Sequence, residues 1–438
     1  MALSSDARKK ELDKIKASDD LIVRTGEKLK YGDGSKPFNV YRIDLDYVIY
    51  NPYNGRIGSL IKSHEEQYGK LNPEDDYDIK TIEKFLWESK ADRNEKTEEN
   101  LVKYHQQRFG IVTSDGVIID GNRRAMLIRR IFKKRNAEYK NIDVEWARYF
   151  EAIILDEGAE ERDIIRLETI YQMGEDEKLG YNAIEKYLKI KDLKANQFDL
   201  PDIADFMNED LKQIEKWWET MQLMDGYLDY LGYSNIYTQL DKREDQFLNL
   251  NEWVKRYKGK SRSTMIDWDY SDDDVSDLKA IAFDYIRAMW EGKDFRNLAN
   301  TSRKNPGAFY YKETWDKLKE IHQKVEGVNT EEKSIEQYQQ DYPDVDNKTI
   351  LLEKRDQEWT EKVEAVLKEE IGRTQTMIRA KVNEDGQTKL LEEVLDLLES
   401  VDISSKGFAN SANYELVDAI RKKAEEFKKM LKEYKTTF

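Results

Sequence analysis

The residues best placed to do chemistry lie in one short run, Asp120-Gly121-Asn122-Arg123-Arg124. Ile111-Val112-Thr113 and Val117-Ile118-Ile119 read as two short strands around a tight Ser114-Asp115-Gly116 turn. The second strand turns through Gly121 into a helix running to about Asn136. On that helix Ala125, Ile128, Ile131 and Phe132 share one face, and Arg123, Arg130 and Lys134 share another. A helix N-terminus offers backbone N–H groups and the positive end of the helix dipole, so it suits a phosphate. Gly121 lets a ligand approach the backbone closely, and two arginines can hold phosphate oxygens through charge-assisted hydrogen bonds. Cations are disfavoured at a helix N-terminus, and a bound anion would resolve that conflict. The same run also fits a solvated basic helix that pairs with carboxylates elsewhere in the chain.

Other candidates fail on their spacing. Gly259-Lys260-Ser261 resembles the end of a P-loop, but the position needing the earlier glycine is Val254. His64-Glu65-Glu66-Gln67-Tyr68 lacks the second histidine of a zinc protease helix. The acidic run from Asp267 to Asp277 lacks the central glycine of a calcium loop and reads as an exposed turn. His105, Gln106, Gln107 and Arg108 lie just before the hairpin, within reach of its ligand or as surface and capping residues.

Positioning elements surround the run. Ser4 to Asp19 reads as an amphipathic helix, followed by a loop at Tyr31 to Pro37. Phe38 to Tyr50 alternates as a strand and stops at Asn51-Pro52-Tyr53-Asn54-Gly55. Ile79 to Glu88 and Asn100 to Gln107 read as helices, and Trp146 to Leu155 as a further strand. Beyond Glu160 nearly everything is helical, with two helices around Asn208 and a helix from Leu278 to about Trp290. Linkers are expected near Lys258 to Ser263 and between Glu326 and Asn347. From Ile350 to Lys435 the pattern suggests a helical hairpin or coiled segment, with Leu390, Leu391, Val394, Leu395 and Leu398 as its apolar face.

Gly121-Asn122-Arg123-Arg124-Ala125, in its hairpin-to-helix setting, resembles the arginine segment of the ParB/sulfiredoxin superfamily. Asn51-Pro52 through Arg56 resembles the family's opening segment, and Ile79 to Ser89 its next helix, with Asp92 to Glu99 as an insertion. Ile164 to Gln172 stands where the family has Glu-Asn-x-x-Arg, and Leu200 to Met224 where it has a helix-turn-helix. The likeness spans about Phe38 to Leu231. It implies that Gly121, Asn122, Arg123 and Arg124, with Arg56 and Gln107, hold a nucleoside triphosphate, CTP or ATP. It further implies that Glu168 is the catalytic carboxylate and, with Thr169, a ligand of Mg²⁺. Thr169 and Gln172 replace the family's Asn and Arg, and the chain has no cysteine, which excludes sulfinic acid repair.

The fold class so implied is α+β, with a small α/β domain followed by mostly helical domains. The divisions are an N-terminal helix and loop (1–36), a nucleotide-binding domain (37–156) and a helical domain with a helix-turn-helix-like segment (157–257). A linker and helical segment (258–330) and a helical dimerisation or partner-binding region (331–438) follow. The function so implied is a slow Mg²⁺-dependent NTPase switch in a DNA-associated system such as partition, transcription control or phage defence. The alternatives are a ParB-like nuclease of a defence system and a non-enzymatic adaptor with a degenerate nucleotide site.

Charge and composition narrow the partners. A net charge of −16 over 438 residues opposes broad attachment to DNA. The segment Glu209 to Glu219, where a recognition helix would sit, carries four acids against two lysines, so any DNA contact is expected to be indirect. Trp217 and Trp218 there read as core or partner contacts. No run of about 18 apolar residues spans a membrane, and the charged N-terminus lacks a secretory pattern. Together with zero cysteines, this gives the expectation of a cytoplasmic protein acting as a homodimer or with a protein partner.

Overall fold

The computed structural model describes residues 3–31, 34–174, 183–258, 268, 270–289, 293–302, 306–405 and 407–437. The fold is α+β, with one five-stranded mixed sheet near the N-terminus and helices beyond it. In chain order, α1 (Ser5–Lys16) precedes β1 (Ile22–Tyr31) and β2 (Gly34–Asp44). Then come α2 (Gly58–Tyr68), α3 (Asp76–Glu88), α4 (Ala91–Tyr104), β3 (Gly110–Val112), β4 (Ile118–Asp120), α5 (Asn122–Lys134) and β5 (Tyr149–Ile154). The strand order is β1-β2-β5-β3-β4, with β3 parallel to β5 and the other neighbours antiparallel.

Both faces of this sheet are buried, and the two-residue period of the strands assigns side chains to each. Ile43, Val112, Ile118, Ala152 and Ile154 face the core under α1 to α5. Val40, Ile111, Ile119 and Ile153 face a second core that takes Leu167 from α6 (Glu161–Thr169). So α6, which the sequence assigned to the following helical region, closes the far side of the sheet. β1, read from sequence as part of a loop, pairs along β2 from Ile22 to Tyr31. Its register slips twice between Ile22 and Glu27, around Gly26 at φ 74°. This bulge interrupts the alternation that would have betrayed the strand.

Helix α1 is locked to the site's hairpin by Arg8, which is 1% exposed. Its Nε donates to Asp115 O at 2.8 Å, and its Nη1 lies 2.8 Å from Glu74 Oε1. The turn itself depends on Gly116 at φ 87°, where a Cβ would lie 2.2 Å from Tyr47 O. Residues 92–99, expected as an insertion, form most of α4, whose buried Asn94 and Glu98 anchor it.

The helical part comprises α7 (Ala183–Ala195), α8 (Leu200–Met207), α9 (Leu211–Leu231), α10 (Glu244–Tyr257), α11 (Asp272–Arg287), α12 (Lys293–Ala299), α13 (Lys312–Thr330) and α14 (Ile335–Asp341). Asn208 caps α8 in the left-handed conformation, as the sequence indicates, and Trp217 and Trp218 of α9 pack against the α7–α8 core. The acidic run is not a loop throughout. Ser271 caps α11 with Asp274 in a capping box, so Asp272, Asp273 and Asp274 occupy a helical first turn where the dipole favours them. Helix α14 likewise lies inside the expected Glu326–Asn347 linker, whereas 259–267 of the other expected linker lie outside the described residues.

Two compact units divide the chain at Thr374 and Gln375. Helix α15 (Lys348–Glu399) starts in the first unit, whose core takes its Leu351, Leu352, Trp359, Val363 and Leu367. The boundary therefore falls well past the residue 331 that the sequence suggested. A buried ionic network accounts for part of the difference: Arg287 Nε lies 2.7 Å from Asp356 Oδ1, and Arg355 Nη2 donates to Leu231 O at 2.6 Å. The second unit holds the end of α15 and α16 (Ser411–Thr437).

Candidate phosphate-binding cavity

The turn from β4 into α5 is built around Gly121, which adopts φ 105° and ψ 9° as the N-cap. A Cβ there would sit 2.8 Å from Phe150 Cζ, so both the backbone and the packing require glycine. The α5 hydrogen-bond ladder begins with Ala125 N–H donating to Gly121 O at 2.8 Å. The amides of Asn122 to Arg124 therefore point out of the helix N-terminus.

These residues open onto a cavity of about 440 Å³, a size typical of small-ligand sites. Gly121, Asn122, Arg123 and Arg124 all line it, as do Arg56 and Gln107. The structure thus gathers all six residues that the sequence assigned to the nucleotide. Arg108, which the sequence placed within reach of the ligand, lines the cavity too, and the structure adds Arg24 and Lys28 from β1, Thr97 from α4, and Phe109 and Tyr171. Six cationic side chains, Arg24, Lys28, Arg56, Arg108, Arg123 and Arg124, face two carboxylates, Glu27 and Asp120. A local excess of positive charge on a chain of net charge −16 is a strong electrostatic contrast. Arg24 and Lys28 were not foreseen because their strand was not.

The six expected residues play different parts. Asn122 is 1% exposed, and its side chain is spent on backbone: Oδ1 accepts from Asn51 N at 2.9 Å and Nδ2 donates to Ile118 O at 3.1 Å. It holds the turn rather than offering its amide to a ligand. Arg124 Nη1 donates to Phe109 O at 3.1 Å, which orients the guanidinium across the cavity wall. Arg56 N donates to Asn54 Oδ1 at 3.0 Å, fixing the turn that carries it. The Gln107 carbonyl accepts from Arg24 Nη2 at 2.9 Å, tying the loop to β1.

The rest of the basic run on α5 serves the fold. Arg129 stacks over Tyr50 at 5.0 Å and donates to Leu45 O at 2.8 Å. Arg130 sits 4.0 Å over Trp87 and 3.0 Å from Glu98, which also pairs with Lys134 at 3.2 Å. Lys133 pairs with Glu83. The carboxylate-pairing reading of this helix therefore holds for Arg130, Lys133 and Lys134, while Arg123 and Arg124 line the cavity. His105 stacks on Trp146 at 4.7 Å, and Gln106 bonds Glu151 and Arg108 backbone, so neither lines the cavity.

The residues expected to hold Mg²⁺ are not brought to the cavity. Glu168 is 6% exposed, and its Oε2 accepts from Lys189 Nζ at 3.1 Å. Burial pushes its carboxyl up from the usual range, against the pull of Lys189. Thr169 is fully buried and donates its hydroxyl to Ile165 O at 2.8 Å. Gln172 is likewise internal: Oε1 accepts from Gly55 N at 3.0 Å and Nε2 donates to Ile119 O at 3.2 Å. Among the described residues no group of three or more His, Asp or Glu is placed to hold a metal ion.

A second cleft, of about 500 Å³, lies among α9, α11 and α13. His322 Nδ1 meets the buried Asp284 carboxylate at 2.6 Å on its wall, and Lys279, Lys319, Asp277 and Glu326 share the lining. Its charges are balanced, unlike those of the first cavity. Among the described residues no helix is long and apolar enough to cross a membrane. No family model matches the chain, and no curated protein or solved structure matches it.

Proposed function

We propose that the cavity at the N-terminus of α5 binds the polyphosphate of a nucleoside triphosphate, CTP or ATP, and that the protein works as a nucleotide-responsive switch of the ParB/sulfiredoxin type. The observation that carries this reading is the convergence of Arg24, Lys28, Arg56, Arg108, Arg123 and Arg124 on one helix N-terminus. Oriented amides and arginines together favour a multiply charged anion over a single carboxylate. Phe109 and Tyr171 in the same lining supply apolar surface for a base or ribose.

Glu168 does not fit a magnesium site while its carboxylate is paired with Lys189. Isothermal titration of the full chain with CTP, ATP and GTP, each with and without Mg²⁺, tests the reading. Saturable binding by at least one triphosphate, weakened about 30-fold when Arg124 is replaced by alanine, supports it. Heats no larger than those of buffer for all three overturn it.

A further inference from the structure

The cleft among α9, α11 and α13 lies within the first unit and shares no lining residue with the phosphate cavity. Its overall charge balance conceals one unmatched cation. Lys319 Nζ lies 2.7 Å from Asp277 Oδ2, and His322 sits between Asp284 at 2.6 Å and Glu326 at 3.6 Å. Lys279 stands apart: among the described residues no carboxylate pairs with its ammonium. Burial lowers its pKa from the ordinary 10.5, and the neighbouring Lys258 ammonium, of the same sign, lowers it further. A half-buried ammonium without a counter-ion is destabilising until an anion joins it.

A second observation comes from the facing helix. Gly226 lies in the interior of α9, where glycine is the weakest helix former after proline. Packing within the chain does not demand it, because a Cβ built there meets no described atom within 4 Å. The missing side chain instead leaves helix backbone open to the cleft. One turn on from Gly226 is Tyr230, and one turn on from Lys279 is Phe283; both rings line the cleft, with centroids 5.6 Å apart. We propose that this cleft binds a small arylalkanoic acid, its ring against Tyr230, Phe283 and the bare backbone at Gly226, its carboxylate paired with Lys279. A volume of about 500 Å³ accommodates one or two fused rings and a short acid chain. Asp277 and Glu326 in the same lining repel a second negative charge, which selects a monoanion over a phosphate or a dicarboxylate.

The test uses the full chain and saturation-transfer difference NMR, with 2-naphthylacetate and its uncharged counterpart 2-naphthylacetamide as probes. The acid should bind saturably, with a dissociation constant of about 1 mM or tighter, and the amide about tenfold more weakly. Lys279→Met keeps the apolar stem and removes the charge, so it should bring the acid down to the affinity of the amide. Gly226→Leu should block both probes while melting no lower than wild type, because its side chain enters open space on a helix that gains propensity. A wild type that binds neither probe, or both alike, would overturn the proposal. So would a preference for the acid that survives Lys279→Met, which would place the acid elsewhere on the chain, or binding undisturbed by Gly226→Leu.

Discussion

The Asn122 side chain accepts the Asn51 backbone amide at 2.9 Å, so the arginine turn and the Asn-Pro turn 71 positions earlier form one unit. Through it the segment bearing Arg56 is registered against the segment bearing Arg123 and Arg124. Replacing Asn122 by alanine leaves a part-buried N–H at Asn51 and a buried carbonyl at Ile118 without this partner, at about 1–3 kcal/mol. Urea unfolding should show that loss, and phosphate affinity should fall with it because two cavity walls come apart. Asn122→Ala that unfolds like wild type would show the bond to be dispensable.

Gly121→Ala tests the close approach. A left-handed alanine costs about 1–2 kcal/mol, and the added Cβ also meets Phe150 Cζ at 2.8 Å. The variant should melt several degrees lower and bind triphosphate poorly. Gly121→Ala/Phe150→Leu should recover part of the stability by relieving the overlap, while leaving the backbone strain. No recovery in the double variant would mean that the conformation alone demands glycine.

Much of this site was legible in the sequence because its signals are local. The hairpin, the glycine turn and the amphipathic α5 each follow from spacing within about fifteen residues, and all six residues assigned to the ligand line one cavity. What was not legible depends on distant partners. Glu168 looked like a metal ligand, but Lys189, 21 residues on, pairs with its carboxylate. Arg130 and Lys134 looked solvent-facing, yet Glu98 and Trp87 receive them. Strand β1 was hidden by its bulge at Gly26, and the start of α11 by a run of acids that a helix N-terminus accepts.

Arg123 and Arg124 should differ in weight. Adjacent helical residues point about 100° apart, and Arg124 is the one held by a bond to the Phe109 carbonyl. A pre-oriented guanidinium loses less freedom on binding phosphate. Arg124→Ala is expected to weaken triphosphate affinity about 30-fold, Arg123→Ala clearly less, and Arg124→Lys should not restore it. Arg129→Ala, which removes only contacts to Tyr50, Leu45, Val48 and Glu83, should lower stability without a comparable loss of affinity. Equal small losses for Arg123 and Arg124 would point to a diffuse basic surface.

Truncation separates the two units. A chain ending at Thr374 keeps Asp356 beside the buried Arg287 and should unfold cooperatively. A chain ending at Asn347 removes Asp356 along with Leu351, Leu352 and Trp359, leaving Arg287 with fewer acidic partners in the interior. Losing one partner of a buried pair costs about 3–5 kcal/mol, before the lost apolar contacts are counted. The shorter chain should therefore aggregate or melt without a sharp transition in calorimetry. Equal behaviour of the two chains would place the boundary earlier.

The last expectation concerns pH and the helix that follows Arg56. Glu185 of α7 is 2% exposed and caps α2, with Oε1 accepting from Ser59 N at 3.1 Å and from Ser59 Oγ at 2.6 Å. Burial raises its carboxyl from the ordinary 4.5 to about 7, although the Ser59 and Gly58 bonds pull the other way. Between those two values the folded chain retains a proton that the unfolded chain has released. The contribution of Glu185 is therefore fully present below the unfolded value, and it is lost as pH rises through the folded value. The whole change is worth about 3 kcal/mol. Glu185→Gln keeps an acceptor for Ser59 but has no proton to lose, so its stability should not carry this dependence. Urea unfolding of both proteins at pH 5.5 and pH 8 isolates the effect, because every other titrating group is common to them. Wild type should lose stability relative to Glu185→Gln as pH rises between these points. Two parallel pH profiles would show that Glu185 is already ionised in the fold, and that the α2 cap holds its charge more firmly than burial opposes it.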